Sequence, residues 1–298
     1  MKASRHRVGI SNTRLLIMLL LVAISTSAQP PERLWVYSKD GTRISVQKTG
    51  SGPALLLIHG SSVDGSSWQG VLPGLSKYFT VYVMDRRGHG NSGDAKAYTI
   101  SVESDDIAAV TAAIPEPLTV LGHSYGALCL LIAAEKLHHT RQLILYEAPL
   151  NSDTSSPPPA GVQQTLAKMD RALQVNAREE ILTLFLRDLA KVSPESLAIM
   201  KAAPNWAARV DMAPALPREI HATLNQRVSK NPLADCKIPL AMFVGSTSPP
   251  SAKQTTDFVC HSISGCRVFT LEGQGHLAAV FAPELFVTKV REAANPVY

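Results

Sequence analysis

A serine between two glycines is the residue of this chain best placed for nucleophilic chemistry. Ser124 lies in the segment GHSYG at 122–126, after an apolar run that begins at Leu118 and before a second apolar run with small residues at helical spacing. This order predicts a strand, a sharp turn and a helix, with the serine at the tip of the turn. The two glycines lack the side chains that would collide where strand and helix meet so closely. We therefore expect the Ser124 hydroxyl to face a pocket, although an ordinary glycine-rich turn is the alternative.

Three further segments accompany this motif along the chain. They are LLLIHGSS at 55–62, VYVMDRRGHGNSG at 81–93 and LEGQGHLAAVFAPE at 271–284. Together with the serine motif they resemble the α/β-hydrolase superfamily, and the resemblance covers nearly the whole chain after about residue 34. It implies an α/β class fold, the α/β-hydrolase fold, with a mostly parallel central sheet flanked by helices and an inserted helical cap. Because this fold carries many different activities, the resemblance says little about the substrate.

A serine hydroxyl is a poor nucleophile, so it needs a base, and the base needs a group that orients it and stabilises its cation. The resemblance places the base at His276, in the segment GQGH after the last predicted strand. Most relatives carry the acid a few residues after the strand that follows the cap, but Ser248 stands there. Glu147 ends the strand after the serine motif, which is the alternative acid position in some members, notably certain haloalkane dehalogenases. The order Ser124, Glu147, His276 is also the family's order.

Two interpretations of Glu147 stay open. It completes a triad, or it only hydrogen-bonds the loop that leads into the cap while Ser124 and His276 act as a dyad. The resemblance further implies an oxyanion hole built from the backbone N–H groups of Ser61 and Tyr125. Such amides donate to a developing negative oxygen without carrying a charge of their own. We expect Ser124 to attack a carbonyl carbon and form an acyl-enzyme that water releases.

The alternation of predicted strands and helices sets the domain organisation. The hydrolase core is expected over residues 29–150 and 234–298, with a helical cap inserted at 151–233. Within the cap we predict helices around Gln163–Leu173, Glu179–Lys191 and Pro194–Met200. The prolines at 204, 214 and 217 are expected to break the remainder of the insertion.

The first 28 residues have the composition of a secretory signal peptide. Four basic residues flank or precede the apolar run Leu15–Ile24, and small residues precede Gln29. We therefore expect an exported protein, periplasmic or secreted, with no stable membrane insertion after cleavage; an uncleaved N-terminal anchor is the alternative. The four cations of this segment account for most of the net charge of +5. No basic stripe remains to suggest nucleic acid, so we expect a small-molecule partner.

Cysteine usage gives two further expectations. Cys129 falls on the apolar face of the helix after the serine motif and is expected to be a buried free thiol. Among Cys236, Cys260 and Cys266 one disulfide is plausible in an exported protein, with Cys260–Cys266 the simplest loop, but the pairing stays open. The chain lacks C-x-x-C spacing and an H-E-x-x-H motif, so we predict no metal site, and the expected chemistry needs no cofactor.

The sequence thus favours an exported serine hydrolase that cleaves a carboxylic ester or lactone of a small, fairly hydrophobic substrate. The apolar cap residues that suggest such a substrate are equally consistent with core packing. A carbon–carbon bond hydrolase of the same fold is the alternative within enzymes. A ligand-binding protein without turnover is the alternative from another class, because the usual aspartate is missing. The sequence does not indicate the oligomeric state.

Overall fold

A computed structural model describes residues 32–150, 158–226, 236–261 and 263–295. The predicted signal peptide, 1–28, lies outside these ranges. The strands are β1 (Glu32–Tyr37), β2 (Arg43–Gly50), β3 (Ala54–Ile58), β4 (Thr80–Met84), β5 (Leu118–His123), β6 (Thr140–Tyr146), β7 (Leu240–Gly245) and β8 (Arg267–Leu271). The α-helices are α1 (Leu72–Leu75), α2 (Ile100–Ala113), α3 (Tyr125–Ala133), α4 (Ala160–Gln174), α5 (Arg178–Leu184), α6 (Pro194–Ala202), α7 (Trp206–Met212), α8 (Ala215–Asn225), α9 (Pro250–His261), α10 (Ala278–Phe281) and α11 (Pro283–Ala294). A π-helical turn, Phe185–Leu189, continues α5.

The strands form one eight-stranded sheet in the order β1-β2-β4-β3-β5-β6-β7-β8. Strand β2 pairs antiparallel with β1 and with β4. All neighbouring pairs from β4 through β3 and β5 to β8 are parallel. The carboxyl ends of these parallel strands therefore meet at one edge of the sheet, which is where open α/β sheets place their sites.

Strand β3 shows how the sheet divides the core into two layers. Every residue of β3 is buried, as expected for a parallel strand covered on both faces. Leu56 and Ile58 contact the layer that α2, α3 and α9 cover, whereas Leu55 and Leu57 contact the layer under α1, α10 and α11. Successive side chains of a strand point to opposite faces of the sheet. Because both faces are covered here, the whole run is apolar.

Helices α4 to α8, which we call the inserted helices, lie between β6 and β7 in the chain. They enclose an apolar cluster of their own, formed by Met169, Ala172, Ile181, Leu182, Leu184, Leu186, Ala213 and Leu216. Pro204 lies between α6 and α7 and Pro214 between α7 and α8, as expected of helix breakers, but the expectation was wrong for Pro217, which lies inside α8. Pro214 is the N-cap of α8 and Pro217 lies in its first turn, where a backbone N–H would have no intrahelical partner.

The cysteines and the helix lengths complete the description. Cys260 and Cys266 form a disulfide with a Cα–Cα distance of 5.3 Å. Cys129 is buried and free, and Cys236 is also free. Across the described ranges, none of the helices combines the length and apolar character needed to cross a membrane.

Candidate active site

The turn between β5 and α3 holds Ser124 in a strained conformation. Its φ of 52° and ψ of −124° lie where residues other than glycine are rare. The Ser124 N–H donates to the Tyr146 carbonyl at 2.9 Å, which anchors the turn to β6. A Cβ on Gly122 would lie 2.7 Å from the Ala127 Cα, and one on Gly126 would collide with the His59 carbonyl. Both positions therefore require glycine if the serine is to stay at the tip of the turn.

Glu147 and His276 meet at the same edge of the sheet. Glu147 follows β6 directly, and His276 lies in the loop between β8 and α10. His276 Nδ1 donates to Glu147 Oε2 at 2.6 Å. The Glu147 side chain is almost fully buried, whereas that of His276 is 43% exposed. Because Nδ1 carries the proton in this bond, the Nε2 atom of neutral His276 keeps a lone pair that can accept one.

Two further donors hold the Glu147 carboxylate. The Gly245 N–H donates to Oε1 at 2.8 Å, and the Ser248 hydroxyl donates to the same oxygen at 2.5 Å. Burial by itself would raise the pKa of Glu147, but the hydrogen bonds from His276, Gly245 and Ser248 outweigh it and leave the pKa below its usual value. The carboxylate is therefore ionised at neutral pH and can stabilise a positive charge on His276.

The loop that carries His276 is fixed by two aromatic side chains that sequence reasoning left without a role. The Tyr146 hydroxyl donates to the Gly275 carbonyl and accepts from the Ala278 N–H at 3.0 Å. His123 Nε2 donates to the His276 carbonyl at 2.9 Å, and the two imidazole rings lie 4.5 Å apart. The histidine loop is thus bonded on both sides of His276. Tyr146 and His123 each immediately precede a predicted site residue, which is the only sequence signal for them.

The predicted oxyanion amides belong to the loop after β3 and to the first turn of α3. A Cβ on Gly60 would lie 3.0 Å from Ser124 Cβ, so the residue before Ser61 packs against the serine. Tyr125 is the first residue of α3 and follows Ser124 directly. Among the described residues, neither the Ser61 nor the Tyr125 amide donates a hydrogen bond. Both amides are therefore available to an oxygen atom bound beside Ser124.

A buried ion cluster lies behind the serine turn and joins it to the inserted helices. The guanidinium of Arg86 pairs with Glu103 of α2 at 3.1 Å and with Glu219 of α8, and all three side chains are almost completely buried. It also lies over the Tyr125 ring, 4.8 Å from the centroid. Burial raises the pKa of Glu219 to about 7, although Arg86 opposes the shift. The sequence suggested only that Arg86 ties its loop together, so this link to α8 is new.

Over the ranges that the structure describes, no group of three or more His, Cys, Asp or Glu residues is placed to hold a metal ion. The arrangement instead provides a strained serine, a carboxylate-paired imidazole and free backbone amides. Such a set can move a proton from a hydroxyl and bind a developing oxyanion.

The chain is similar in sequence and in structure to known proteins. The family model of the alpha/beta hydrolase family matches residues 55–289. An α/β hydrolase from Sphaerobacter thermophilus has a similar structure, with a TM-score of 0.76 and 30% sequence identity over 88% of this chain and 100% of its own. An esterase from Exiguobacterium antarcticum has a TM-score of 0.70 at 19% identity, over 88% of this chain and 98% of its own, which shows similarity of fold. These matches confirm the predicted family resemblance and fold class.

Curated relatives match over shorter stretches. A pimeloyl-[acyl-carrier protein] methyl ester esterase from Aeromonas hydrophila is 35% identical over 88 residues, which is 28% of this chain. The match spans 33% of that relative's own length. The activity and substrate of the whole protein are therefore questions for proposal and experiment.

Proposed function

This chain belongs to the α/β-hydrolase family, and from that membership we propose that it is an exported serine hydrolase that cleaves a carboxylic ester or lactone of a small substrate. The observation that carries the proposal is the hydrogen bond from His276 Nδ1 to Glu147 Oε2, at the sheet edge where the strained Ser124 lies. The names of related proteins, which include esterases, support the choice of bond.

In the proposed mechanism, Ser124 Oγ attacks the carbonyl carbon of the ester while His276 Nε2 accepts the hydroxyl proton. Glu147 keeps His276 in the tautomer that leaves Nε2 free, and it stabilises the imidazolium that forms. The amides of Ser61 and Tyr125 bind the oxyanion. His276 then protonates the departing alkoxide, which leaves Ser124 acylated.

The second half of the reaction reverses these roles with water as the nucleophile. His276 Nε2 accepts a proton from water, and the resulting hydroxide attacks the acyl carbon. The tetrahedral intermediate collapses, Ser124 recovers its proton from His276, and the carboxylic acid leaves. A lactone follows the same course, except that the alcohol and the acid remain in one product molecule.

The apolar side chains of the inserted helices do not argue for a hydrophobic substrate. Phe185, Met200 and Trp206 pack against the cluster that these helices enclose, and Met212 is buried with its sulfur 3.4 Å from the Gly90 amide. Core packing thus accounts for these residues. The polar groups near Ser124 are therefore a better guide to the substrate than these apolar side chains.

The test is intact-mass analysis after exposure to a serine-reactive fluorophosphonate. Wild-type protein is expected to gain a single adduct that Ser124→Ala does not gain, and Ser101→Ala, which changes an exposed helix serine, serves as the matched control and should label like wild type. Absence of the adduct from wild type, or its persistence in Ser124→Ala, would contradict the proposal. Protein expressed in bacteria with its N-terminal segment also reports, in the same spectrum, whether cleavage occurs before Gln29.

Steady-state assays then separate the reaction classes. Hydrolysis of simple esters that requires Ser124 supports the proposed esterase. Turnover of vinylogous diketones with little action on simple esters would favour a carbon–carbon bond hydrolase instead. Tight binding of a small ligand, without any product, would favour a binding protein.

A further inference from the structure

Arg209 of helix α7 reaches from the inserted helices into the loop that carries the predicted oxyanion amide. Its Nε donates to the Ser62 carbonyl and its Nη2 to the Ser62 hydroxyl, each at 3.0 Å. Ser62 is buried and adopts a φ of 62°, which is uncommon for serine. Both oxygen atoms of one strained residue therefore hold the guanidinium in a single orientation.

Arg209 has no counterion in the part of the chain that the structure describes. Within the described residues, no carboxylate lies within salt-bridge distance of it, and its Nη1 makes no hydrogen bond. Other cations of the inserted helices either pair with a carboxylate or are exposed to solvent. The pairs are Arg178 with Asp211, Arg187 with Asp188, Lys201 with Glu179 and Arg218 with Asp94, and the unpaired Lys168, Arg171 and Lys191 are exposed. Arg209 is partly buried, and its burial lowers the pKa with no opposing charge.

A partly buried cation without a counterion is unfavourable, because desolvation is not offset by a nearby negative charge. A guanidinium binds a carboxylate well, since its N–H groups form a planar fork that matches two carboxylate oxygens. The free Nη1 of Arg209, beside an Nη2 that already donates to Ser62, gives such a ligand a place to bind. Binding of an anionic ligand to Arg209 would therefore offset the desolvation cost of its guanidinium.

The position of Arg209 links that ligand to Ser124. The backbone of Gly60 packs against the Ser124 side chain, and Ser62 follows two residues later. Since successive Cα atoms are about 3.8 Å apart, Ser62 lies within about 8 Å of Gly60 along the loop. A substrate whose carboxylate is separated by a few carbon atoms from its ester group would span this distance.

We propose that Arg209 binds a carboxylate of the substrate, so that the enzyme prefers half-esters of dicarboxylic acids to uncharged esters. The inference rests on the proposed function of Ser124 and adds the substrate class to it. Arg209 is then a specificity-determining residue, because it favours a substrate that carries a negative charge.

The experiment compares substrates that differ only in charge. The monomethyl esters of succinic, glutaric and adipic acid are each paired with the methyl ester in which an amide replaces the free carboxylate. The paired compounds have the same shape, and the three acids vary the separation between the carboxylate and the ester group. Wild type is compared with Arg209→Gln, with Arg209→Lys and with the control Arg178→Gln, which removes a paired, exposed cation from α5.

We expect wild type to hydrolyse at least one half-ester with a kcat/KM about 10- to 100-fold above that for its amide, the range for a charge-assisted hydrogen bond. Arg209→Gln should reduce this ratio to near one, and because the ratio compares two substrates on the same variant, a general loss of activity cancels from it. Arg209→Lys should retain part of the preference, and Arg178→Gln all of it. A wild-type ratio near one across the series, or a ratio that survives in Arg209→Gln, would overturn the inference.

Calorimetric titration of Ser124→Ala separates this inference from the proposed function. The variant cannot form an acyl-enzyme, so binding is measured without turnover. Tighter binding of a half-ester than of its amide, lost in Ser124→Ala/Arg209→Gln, supports the carboxylate site even if wild type hydrolyses neither compound. Equal binding of each pair refutes the carboxylate site, even if Ser124 cleaves neutral esters.

Discussion

Ser248 follows β7, at the position where the family resemblance predicts an aspartate. Its hydroxyl lies 2.5 Å from Glu147 Oε1. A hydroxyl cannot replace a carboxylate as the partner of an imidazolium, but it can donate to one. Ser248 therefore orients the Glu147 carboxylate, which follows β6 directly. The Gly245 N–H donates to the same oxygen, so the end of β7 still contributes to the site, through donors in place of a charge.

Glu147→Gln is expected to lower kcat by about 10³- to 10⁴-fold, the size of effect seen when the orienting acid of a serine triad becomes an amide. The amide nitrogen donates where the carboxylate accepted, so His276 loses the tautomer that leaves Nε2 free. Adding Ser248→Asp to Glu147→Gln should restore activity at least about tenfold, because a carboxylate then stands at the other acid position. The measurement is kcat with a simple ester at neutral pH.

The control is Glu272→Gln, which changes an exposed glutamate near the start of the histidine loop and should leave kcat unchanged. Glu147→Gln with nearly wild-type kcat would refute the triad and favour a Ser124–His276 dyad. Failure of Ser248→Asp to restore any activity, in protein with the wild-type unfolding midpoint, would mean that position 248 serves only as a donor to Glu147.

Sequence motifs predicted Ser124 and His276 as site residues, because local glycine-rich segments contain both. They left Glu147 with two interpretations, since only the folded chain shows that its carboxylate reaches His276. The donor role of Ser248 depends on a contact between residues 101 positions apart. The contact of Arg209 with Ser62 spans 147 positions. Contacts of such separation leave no local pattern from which one sequence can predict them.

At the level of elements, strands buried on both faces were the most predictable. The apolar runs that open the segments at 55–62 and 81–93 fall in β3 (Ala54–Ile58) and β4 (Thr80–Met84). Helices α7 and α8 were missed, since a proline was taken to break a helix wherever it occurs. Its effect depends on position, because the first turn of a helix needs no backbone donor. Pro204 and Pro214, which the sequence analysis named as breakers, lie just before α7 and α8, so they separate helices and do not prevent them.

The close contact between α3 and the end of β3 makes Gly126→Ala a test of the serine turn. The added methyl group would meet the His59 carbonyl and lie 2.8 Å from the Ile58 carbonyl, and backbone atoms at the end of β3 cannot move without disturbing the sheet. We expect the free energy of unfolding to fall by about 3 kcal/mol or more, with loss of ester hydrolysis. Urea denaturation and an activity assay measure the two effects.

Gly161→Ala is the matched control, since a Cβ there meets nothing within 4 Å. Gly161 lies in the first turn of α4, where alanine should change stability by no more than about 1 kcal/mol, in the stabilising direction. Equal unfolding midpoints for the two variants would show that the serine turn tolerates a side chain at 126. The steric account of the GHSYG segment would then be wrong.

On the scale of the whole molecule, polar contacts join the inserted helices to the loops after β3 and β4. Glu219 of α8 pairs with the buried Arg86, Arg218 pairs with Asp94 at 2.8 Å, and Arg209 donates to Ser62. Arg86 in turn pairs with Glu103 of α2. A change in the charge of Glu219 therefore alters the ion pair that joins the inserted helices to the loop after β4.

Glu219 should make stability depend on pH in a defined direction. Burial raises its pKa to about 7 from the usual 4.5, so the folded protein holds this proton more tightly than the unfolded chain does. The stabilisation from the proton is fully present below about pH 4.5 and is lost as the pH rises through about 7. Across this window, the free energy of unfolding of wild type should fall relative to that of Glu219→Gln by up to about 3 kcal/mol.

Urea denaturation at a series of pH values between about 4 and 8 measures this difference, because Glu219→Gln keeps the shape of the side chain and removes its titration. Glu180→Gln, which changes an exposed carboxyl of α5, should follow wild type at every pH. A wild-type curve parallel to that of Glu219→Gln would mean that Glu219 stays ionised beside Arg86 throughout. The cluster would then hold two buried carboxylates against one guanidinium, and the inserted helices would stay bonded to the sheet independently of pH.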